Sequence, residues 1–232
     1  MKITYHSHSF IEIELEKGNI LVDPFINNNP TIKTNLESIC SKNIISVVLT
    51  HGHSDHIWDT EEICKKTGCL LISSFELINY FWNEKWLTNL HAMHIWWEFS
   101  FWDYSVKLTP AVHGGWVWDL KNWYTTFPAW VIIRAEWKNI YHAWDTWLTY
   151  DMKLLWDYDN IDLAFLPIWW NFTMWIDDAL IATRDFIKPK KVVPIHYSTW
   201  GIIEANPNEF VKKAEESWFD SVVIEYWKSI EL

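Results

Sequence analysis

The chain has 232 residues, with 30 Asp and Glu against 19 Lys and Arg and a formal net charge of -11. A length of this order closes around one core, so a single domain over residues 1–232 is expected, and the acidic balance argues against a binder of nucleic-acid backbones, whose affinity rests on clustered cations. No apolar run approaches the ~20 residues that span a bilayer, and the opening "MKITYHSHSF" lacks the apolar stretch of a secretory signal. The expected setting is therefore the cytoplasm, with a small-molecule substrate and neither nucleic acid nor membrane as partner; a homo-oligomer is left open. Cys40, Cys64 and Cys69 form no CxxC pair and read as ordinary reduced cysteines.

In chain order, "KITYHSHSFIEIEL" alternates as strands do, Lys17-Gly18-Asn19 reads as a hairpin turn, "NILVDPF" is a strand ending in Asp-Pro, and "IISVVLT" is a near-continuous apolar strand. "DTEEICKKTG" has an acidic start, apolar positions at helical spacing, a basic end and a closing Gly, and so predicts a short helix. "CLLISS" follows as a strand and "FELINYFWNEK" as a helix. "EFSFWDYSVKLTPAVHGG" resumes strands, and "AWVIIRAEWKNIYHAWDT" reads as two strands around a turn. Helix and strand then alternate: "YDMKLLWDY" helical, "IDLAFLPI" a strand, "MWIDDALIATRDFIKPK" helical, "KVVPIHY" a strand, "NPNEFVKKAEESWF" helical after an Asn-Pro start, and "SVVIEYWKSIEL" a terminal strand pair. Sheets covered by helices in layers are expected, an α/β domain.

One feature of the composition is abnormal: 20 Trp against 6 Gly, where Gly is ordinarily among the commonest residues. Trp stands where a chain asks for Gly: Trp58 after a histidine cluster, doubled in "HIWWEF" and "LPIWWN", on both sides of the Asp-Thr pair in "HAWDTWLT", and in "AEWKN" and "EYWKS", which look like turns. Turns of this kind need positive φ, which a bulky aromatic adopts at a cost of about 1–3 kcal/mol each. The expectation is that most of these Trp are Gly in the protein as the cell makes it, as follows if the gene comes from a lineage that reads UGA as Gly. Trp118 and Trp200 are the ones expected to be true Trp.

The chemistry concentrates in "THGHSDHI", residues 50–57, directly after the apolar strand. On an extended segment His51 and His53 point to one side, so both imidazoles can reach one metal at about 2.0–2.1 Å. Asp55 and His56 project differently and can serve a second ion, and two-metal hydrolases hold their ions about 3.5–4 Å apart. Four donors are too few for two ions. Further donors stand at the ends of expected strands: His113 in "KLTPAVHGG", Asp145 in "NIYHAWDT" with His142 nearby, and His196 in "KVVPIHY".

This order of residues, H-x-H-x-D-H, a strand-end His, Asp in "HAWDT", then "PIHY", resembles the metallo-β-lactamase superfamily. It is similar to the branch of metal-dependent hydrolases related to ascorbate 6-phosphate lactonase and, more distantly, to phospholipase-D-type enzymes acting on N-acyl phosphatidylethanolamine. The resemblance runs over "TYHSHS", "DPF", "THGHSDHI", "TPAVHG", "YHAWDT", "LPIWWNFTM" and "IKPKK" to "PIHY". It implies a four-layer αββα sandwich with metals at the edge between two sheets. His51, His53 and His113 would hold one ion; Asp55, His56 and His196 the other; Asp145 would bridge them. The implied cofactors are two divalent ions, zinc by ligand softness, with Mn or Fe accepted by the same donors. The implied activity is attack by a metal-bridging hydroxide on a small ester, lactone or phosphoester, with Asp55 as the catalytic carboxylate that both ligates and orients the nucleophile. The alternatives are a phosphodiesterase acting on lipids or nucleotides and a non-catalytic metal-binding sensor. The chain departs from the family at Trp58, Trp144 and Trp147, where relatives carry Gly; an indole beside Asp145 is expected to crowd the site.

Other candidates are weaker. His6 and His8 alternate on the first strand, and the resemblance places this segment near the metals, the alternative being hydrogen-bonded structural histidines. His142 is expected to act outside the ligand sphere. Asn171, Thr173 and Met174 follow "LAFLPI" and either line a substrate pocket or cap a helix. His91 and His94 fall outside the family's metal pattern, and "IKPKK" reads as a solvated basic turn.

Overall fold

The computed structural model describes residues 1–118 and 123–232, apart from the side chain of residue 123. One mixed sheet contains β1 (Lys2–Ser7), β2 (Phe10–Leu15), β3 (Gly18–Val22), β4 (Ile44–Val48), β5 (Leu70–Ser74) and β6 (Leu90–Met93). The second contains β7 (Glu98–Ser100) and β8 (Tyr104–Pro110), then, after a separate hairpin of β9 (Trp116–Trp118) and β10 (Trp123–Thr125), β11 (Ala129–Ala135), β12 (Lys138–His142), β13 (Leu163–Pro167) and β14 (Lys191–Ile195). The terminal β15 (Lys228–Glu231) returns to the first sheet beside β1. The helices are α1 (Leu36–Cys40), α2 (Ser54–Ile57), α3 (Thr60–Thr67), α4 (Phe75–Lys85), α5 (Met152–Tyr158), α6 (Ile176–Ile181), continued by a π turn over Ala182–Ile187, and α7 (Pro207–Glu216).

The layering follows from which faces are apolar. Ile3, Tyr5, Ile11, Ile13 and Val48 of the first sheet meet Val106, Leu108, Val131, Phe165 and Val193 of the second in one buried core. The outer face of the first sheet packs on α1, α3 and α4 through Leu21, Val47, Leu71, Ile63 and Leu77. The outer face of the second packs on α5, α6 and α7 through Ile132, Ala164, Leu155, Ala179 and Phe210. This is the αββα sandwich that the resemblance implied. β4 lies between parallel β3 and β5 with both faces covered, which is why its sequence is apolar without alternation. Among the described residues no helix is long and apolar enough to cross a membrane.

Strand direction decides where the polar loops meet. β1 and β3 both run antiparallel to β2, and β4 runs parallel to β3, so the C-terminal ends of β1, β3 and β4 share one edge. In the other sheet β8 and β12 both run antiparallel to β11, and β12, β13 and β14 are parallel. The loops after β8, β12 and β14 therefore also emerge together.

Several expectations shift. The first hairpin turns at Glu16-Lys17, because Leu15 pairs with Gly18, two residues before the Gly-Asn that suggested it. The expected terminal strand pair is one strand, β15, preceded by a lone bridge between Val192 and Ser221. Among the described residues, Trp86, Trp96, Trp102, Trp137, Trp144, Trp218 and Trp227 have positive φ, seven of the sixteen non-glycine residues that do. Glu136 (φ 48) and Trp137 (φ 64) both turn left-handed between β11 and β12, the type I′ geometry that favours Asn-Gly. Trp58 differs from expectation: its φ is -50, helical, at the end of α2. Trp97, Trp147, Trp169 and Trp170 are likewise absent from the left-handed set.

Trp102, Trp137 and Trp218 are 98%, 101% and 96% exposed, so their indoles contribute no burial to offset the backbone strain. Replacing all three by Gly is expected to raise the unfolding free energy by about 1–3 kcal/mol, strain relief exceeding the extra chain entropy of Gly. A denaturant midpoint that stays put or falls would refute this. UGA codons at these positions would give the same residues their natural explanation.

A buried ion network ties β1 and β2 to Lys42, in the loop after α1. Glu12, 2% exposed, accepts from His6 Nε2 at 2.8 Å and from Lys42 Nζ at 2.6 Å and 2.8 Å. Burial opposes its ionisation, but the bonds from His6 and Lys42 prevail and lower its pKa from 4.5 to about 2. A carboxyl with a depressed folded pKa adds stability above its unfolded value and loses it as the pH falls through the folded one. Glu12→Gln is thus expected to cost about 2 kcal/mol near neutrality, with the gap to the parent closing between pH 4.5 and pH 2; a gap constant across that window in acid titrations of stability would contradict it.

Candidate metal centre

The loop leaving β4 carries His51 and His53, and His53 (φ -67, ψ 147), extended in backbone, starts α2, whose single turn presents Asp55 and His56. Gly52 is required between the two histidines because a Cβ there would lie 2.5 Å from Val117 Cγ2 of the β9 hairpin. His113 follows β8, Asp145 follows β12 and His196 follows β14. Tertiary structure gathers all seven residues at the shared edge of the two sheets.

Their donor atoms fall into two groups, each with the ligand atoms within 4.8 Å of one another: His51, His53, His113 and Asp145, and His8, Asp55, His56 and His196. Asp145 touches both. Its Oδ2 lies 3.4 Å from His113 Nε2 and 3.7 Å from His56 Nε2, and its Oδ1 lies 2.8 Å from His196 Nε2. The Nε2 atoms of His51, His53, His56 and His113 are buried without a hydrogen-bond partner among the described residues. Buried polar atoms are rarely left unpaired. Four imidazole nitrogens and a carboxylate converging in this way fit a divalent metal cradle.

The surrounding bonds set which ring nitrogen is free. Asp23, at the end of β3, accepts from the Thr50 hydroxyl at 2.6 Å and from the Thr50 backbone N–H at 3.0 Å. The Thr50 hydroxyl proton being committed to a carboxylate, its oxygen accepts from His51 Nδ1–H at 3.1 Å. Asp23 also accepts from His56 Nδ1–H at 2.7 Å. Both rings therefore turn Nε2, the atom a metal would bind, inward, as outer-sphere hydrogen bonds do for metal-bound histidines. Asp23 is a positioning residue that the sequence leaves inside the "DPF" motif without a role; its signal was an acidic residue at a strand end that shares its edge with the histidine loop. Asp59 fixes the adjacent segment, accepting from the Ile26 and Asn27 backbone N–H groups at 2.6 Å and 2.9 Å.

The charges are arranged for a cation. Burial disfavours the His56 imidazolium, yet Asp23, Asp55 and Asp145 together hold its pKa well above the ordinary value. Burial likewise opposes ionisation of Asp145 and Asp55, but His196 and His56 keep the first, and His56 and His8 the second, well below the usual carboxylate range. Burial, with neighbouring His113, lowers His53 to about 4, and burial, with His196, lowers His8 to about 4. The His53 and His8 rings are therefore neutral at neutral pH, and a metal at His56 would displace its proton.

Of the remaining candidates, His8 joins the centre while His6 faces Glu12. His142 donates from Nε2 to the Ser9 carbonyl at 2.8 Å and stays outside both groups. A cavity of about 700 Å³ opens beside the centre and is lined by Asp55, His113, Asp145, Asn171 and Phe172, with Trp116, Trp118, Trp147 and Trp169 forming much of its wall. Thr173 does not line it: its hydroxyl donates to the Trp169 carbonyl at 2.5 Å and the residue is buried. Met174 is in the core, and His91 and His94 lie on and just after β6, away from the centre. The Trp144 indole, fully buried, stacks on His51 with ring centroids 4.0 Å apart, and the donor atoms of His51, His53, His113 and Asp145 converge beside it.

A family model described as a beta-lactamase superfamily domain matches residues 18–197. The chain is 42% identical over 219 residues to a UPF0173 metal-dependent hydrolase of Bacillus cereus, covering 93% of each chain. To a UPF0173 metal-dependent hydrolase of Anoxybacillus flavithermus it is 43% identical over 218 residues, 93% of this chain and 94% of the relative. Among solved structures it is similar to Igni18, a metallo hydrolase from the hyperthermophilic archaeon Ignicoccus hospitalis, with a TM-score of 0.88 and 33% identity over 99% of this chain and 97% of that one. An isothiocyanate hydrolase from Delia radicum gut bacteria shares the fold, with a TM-score of 0.78 at 15% identity over 100% and 99% of the two chains.

Proposed function

Since the chain belongs to the metallo-β-lactamase superfamily, among its UPF0173 metal-dependent hydrolases, we propose that it is a dinuclear hydrolase of small esters, lactones or phosphoesters, with zinc as the preferred metal. The observation that carries this reading is the Asp145 carboxylate standing between two clusters of donors, one oxygen facing His196 and the other facing His113 and His56. Two divalent cations, when bound, acidify a shared water and polarise the scissile group. His51, His53 and His113 would hold one ion, Asp55, His56 and His196 the other, with Asp145 common to both. Asp55, at the cavity wall, is placed to accept a proton from the attacking water and so orient it. The cavity volume suits a small molecule. Gly in place of Trp116, Trp147 and Trp169 would widen it, so the size of the substrate depends on those residues.

Metal content per chain, followed by a panel of lactones, carboxylate esters and phosphodiesters, tests the proposal. The expected result is about two ions per chain and a turnover that drops by on the order of 10²–10³-fold in Asp55→Ala. Full metal occupancy with no turnover on any of the panel would favour a sensor instead, and a selective preference for phosphodiesters would favour the lipid or nucleotide reading.

A further inference from the structure

We infer that His8 is the residue that positions Asp55, and that Thr199 locks His8 in the tautomer this requires. The inference rests on the dinuclear reading above, because Asp55 matters to the reaction only as a ligand and proton acceptor.

His8 follows β1 with φ 57 and is fully buried. A non-glycine residue in this region is strained by about 1–3 kcal/mol and persists only when its surroundings fix it. Here its carbonyl accepts from the His196 backbone N–H at 2.9 Å and from the Tyr5 hydroxyl at 2.8 Å. Its ring lies against His196, centroids 3.7 Å apart, with Trp200 edge-on at 5.0 Å. Backbone and ring are thus both pinned to elements of the second ligand group.

The two ring nitrogens are both in use, unlike the Nε2 atoms of His51, His53, His56 and His113. His8 Nε2 is 3.0 Å from Asp55 Oδ2, and Nδ1 is 2.9 Å from Thr199 Oγ1. An ionised carboxylate only accepts, so Nε2 carries the proton of the neutral ring and donates to Asp55. Nδ1 is then the acceptor, and the Thr199 hydroxyl must donate to it. The chain Thr199 to His8 to Asp55 has one consistent direction. A ring so engaged has no lone pair left for a metal, although His8 lies within reach of the second group. Asp55 Oδ2 has two lone-pair sites; His8 takes one and fixes the plane of the carboxylate, leaving the other on the side of His56 and His196, which lie 3.8 Å and 3.9 Å away.

Titration of the metal-free full-length chain with Zn²⁺ by calorimetry, together with steady-state kinetics on the best substrate of the panel, separates the outcomes. His8→Phe keeps the ring but not the donor and is expected to weaken the second ion about 10–100-fold, leaving the first unchanged, with kcat reduced and KM nearly constant. His8→Gln, whose amide can donate to Asp55, should recover part of both losses. Thr199→Val, which removes only the tautomer lock, should show a smaller loss of the same kind, and it carries the test if His8→Phe does not fold. If the parent binds two ions and His8→Phe and Thr199→Val leave affinity and kcat unchanged, the inference is wrong. If His8→Phe binds a single ion at any Zn²⁺ concentration and His8→Gln recovers nothing, His8 is a ligand and the positioning role is overturned. A parent that binds one ion or none sinks the dinuclear reading itself, a result distinct from either.

Discussion

Asp145→Ala is expected to reduce turnover by on the order of 10³-fold or more, about 4 kcal/mol of transition-state stabilisation, and to lower metal content below two ions per chain. The size of the effect follows from position: Asp145 is the one carboxylate, among the described residues, within ion-pair distance of residues in both donor groups, so in the proposed dinuclear centre its loss would take a ligand from each ion at once. Asp145→Asn keeps the volume and one oxygen but not the charge, and should retain weak binding of one ion. Metal analysis beside kinetics on the same preparations checks both variants. Undiminished occupancy in Asp145→Ala would remove the bridging role.

Stripping the metal with a chelator is expected to abolish turnover and to lower the unfolding temperature, both restored by Zn²⁺ and, to differing extents, by Mn²⁺ or Fe²⁺. A ligand that binds only the folded chain at a thousand times its Kd adds about 4 kcal/mol per site. Acidification acts in the same direction as the chelator. Asp23, Asp55 and Asp145 favour a proton on His56, and a metal at its Nε2 must displace that proton, so affinity falls as the pH drops. Melting curves with and without metal across a pH series read this directly: the metal-dependent increment should shrink on the acid side. A chelated protein that still turns over would leave the metal without a catalytic role.

Much of the candidate site was legible because its chemistry is local or sits at strand ends. His51, His53, Asp55 and His56 fall within six consecutive positions after one apolar strand, and no tertiary information is needed to see that they can serve metal ions. His113, Asp145 and His196 were each visible as a polar residue closing an apolar run, and the family resemblance carried by the whole set implied the αββα fold. The left-handed conformations of Trp96, Trp137, Trp144 and Trp227 were anticipated from turn chemistry alone, since the demand for positive φ is written in a few neighbouring residues. Trp58 was not: the residue after the histidine cluster is helical because α2 and α3 follow each other almost without a break, a matter of packing that local turn signals do not carry.

The amino-acid sequence alone determined the donor types, their grouping along the chain, the alternation of strands and helices, and the mismatch between tryptophan and turn, because each depends on residue chemistry and short-range periodicity. Only the folded chain decided that β1, β3, β4, β8, β12 and β14 end at a common edge, that Asp145 faces both clusters, that Asp23 and Thr50 hold Nδ1 of His56 and His51 so that Nε2 faces inward, and that the His8 ring lies between Thr199 and Asp55. Those outcomes depend on distances between residues up to 191 positions apart, and a hydrogen bond that lasts only within about 3.5 Å is set by strand pairing and packing, which the order of residues constrains but does not display.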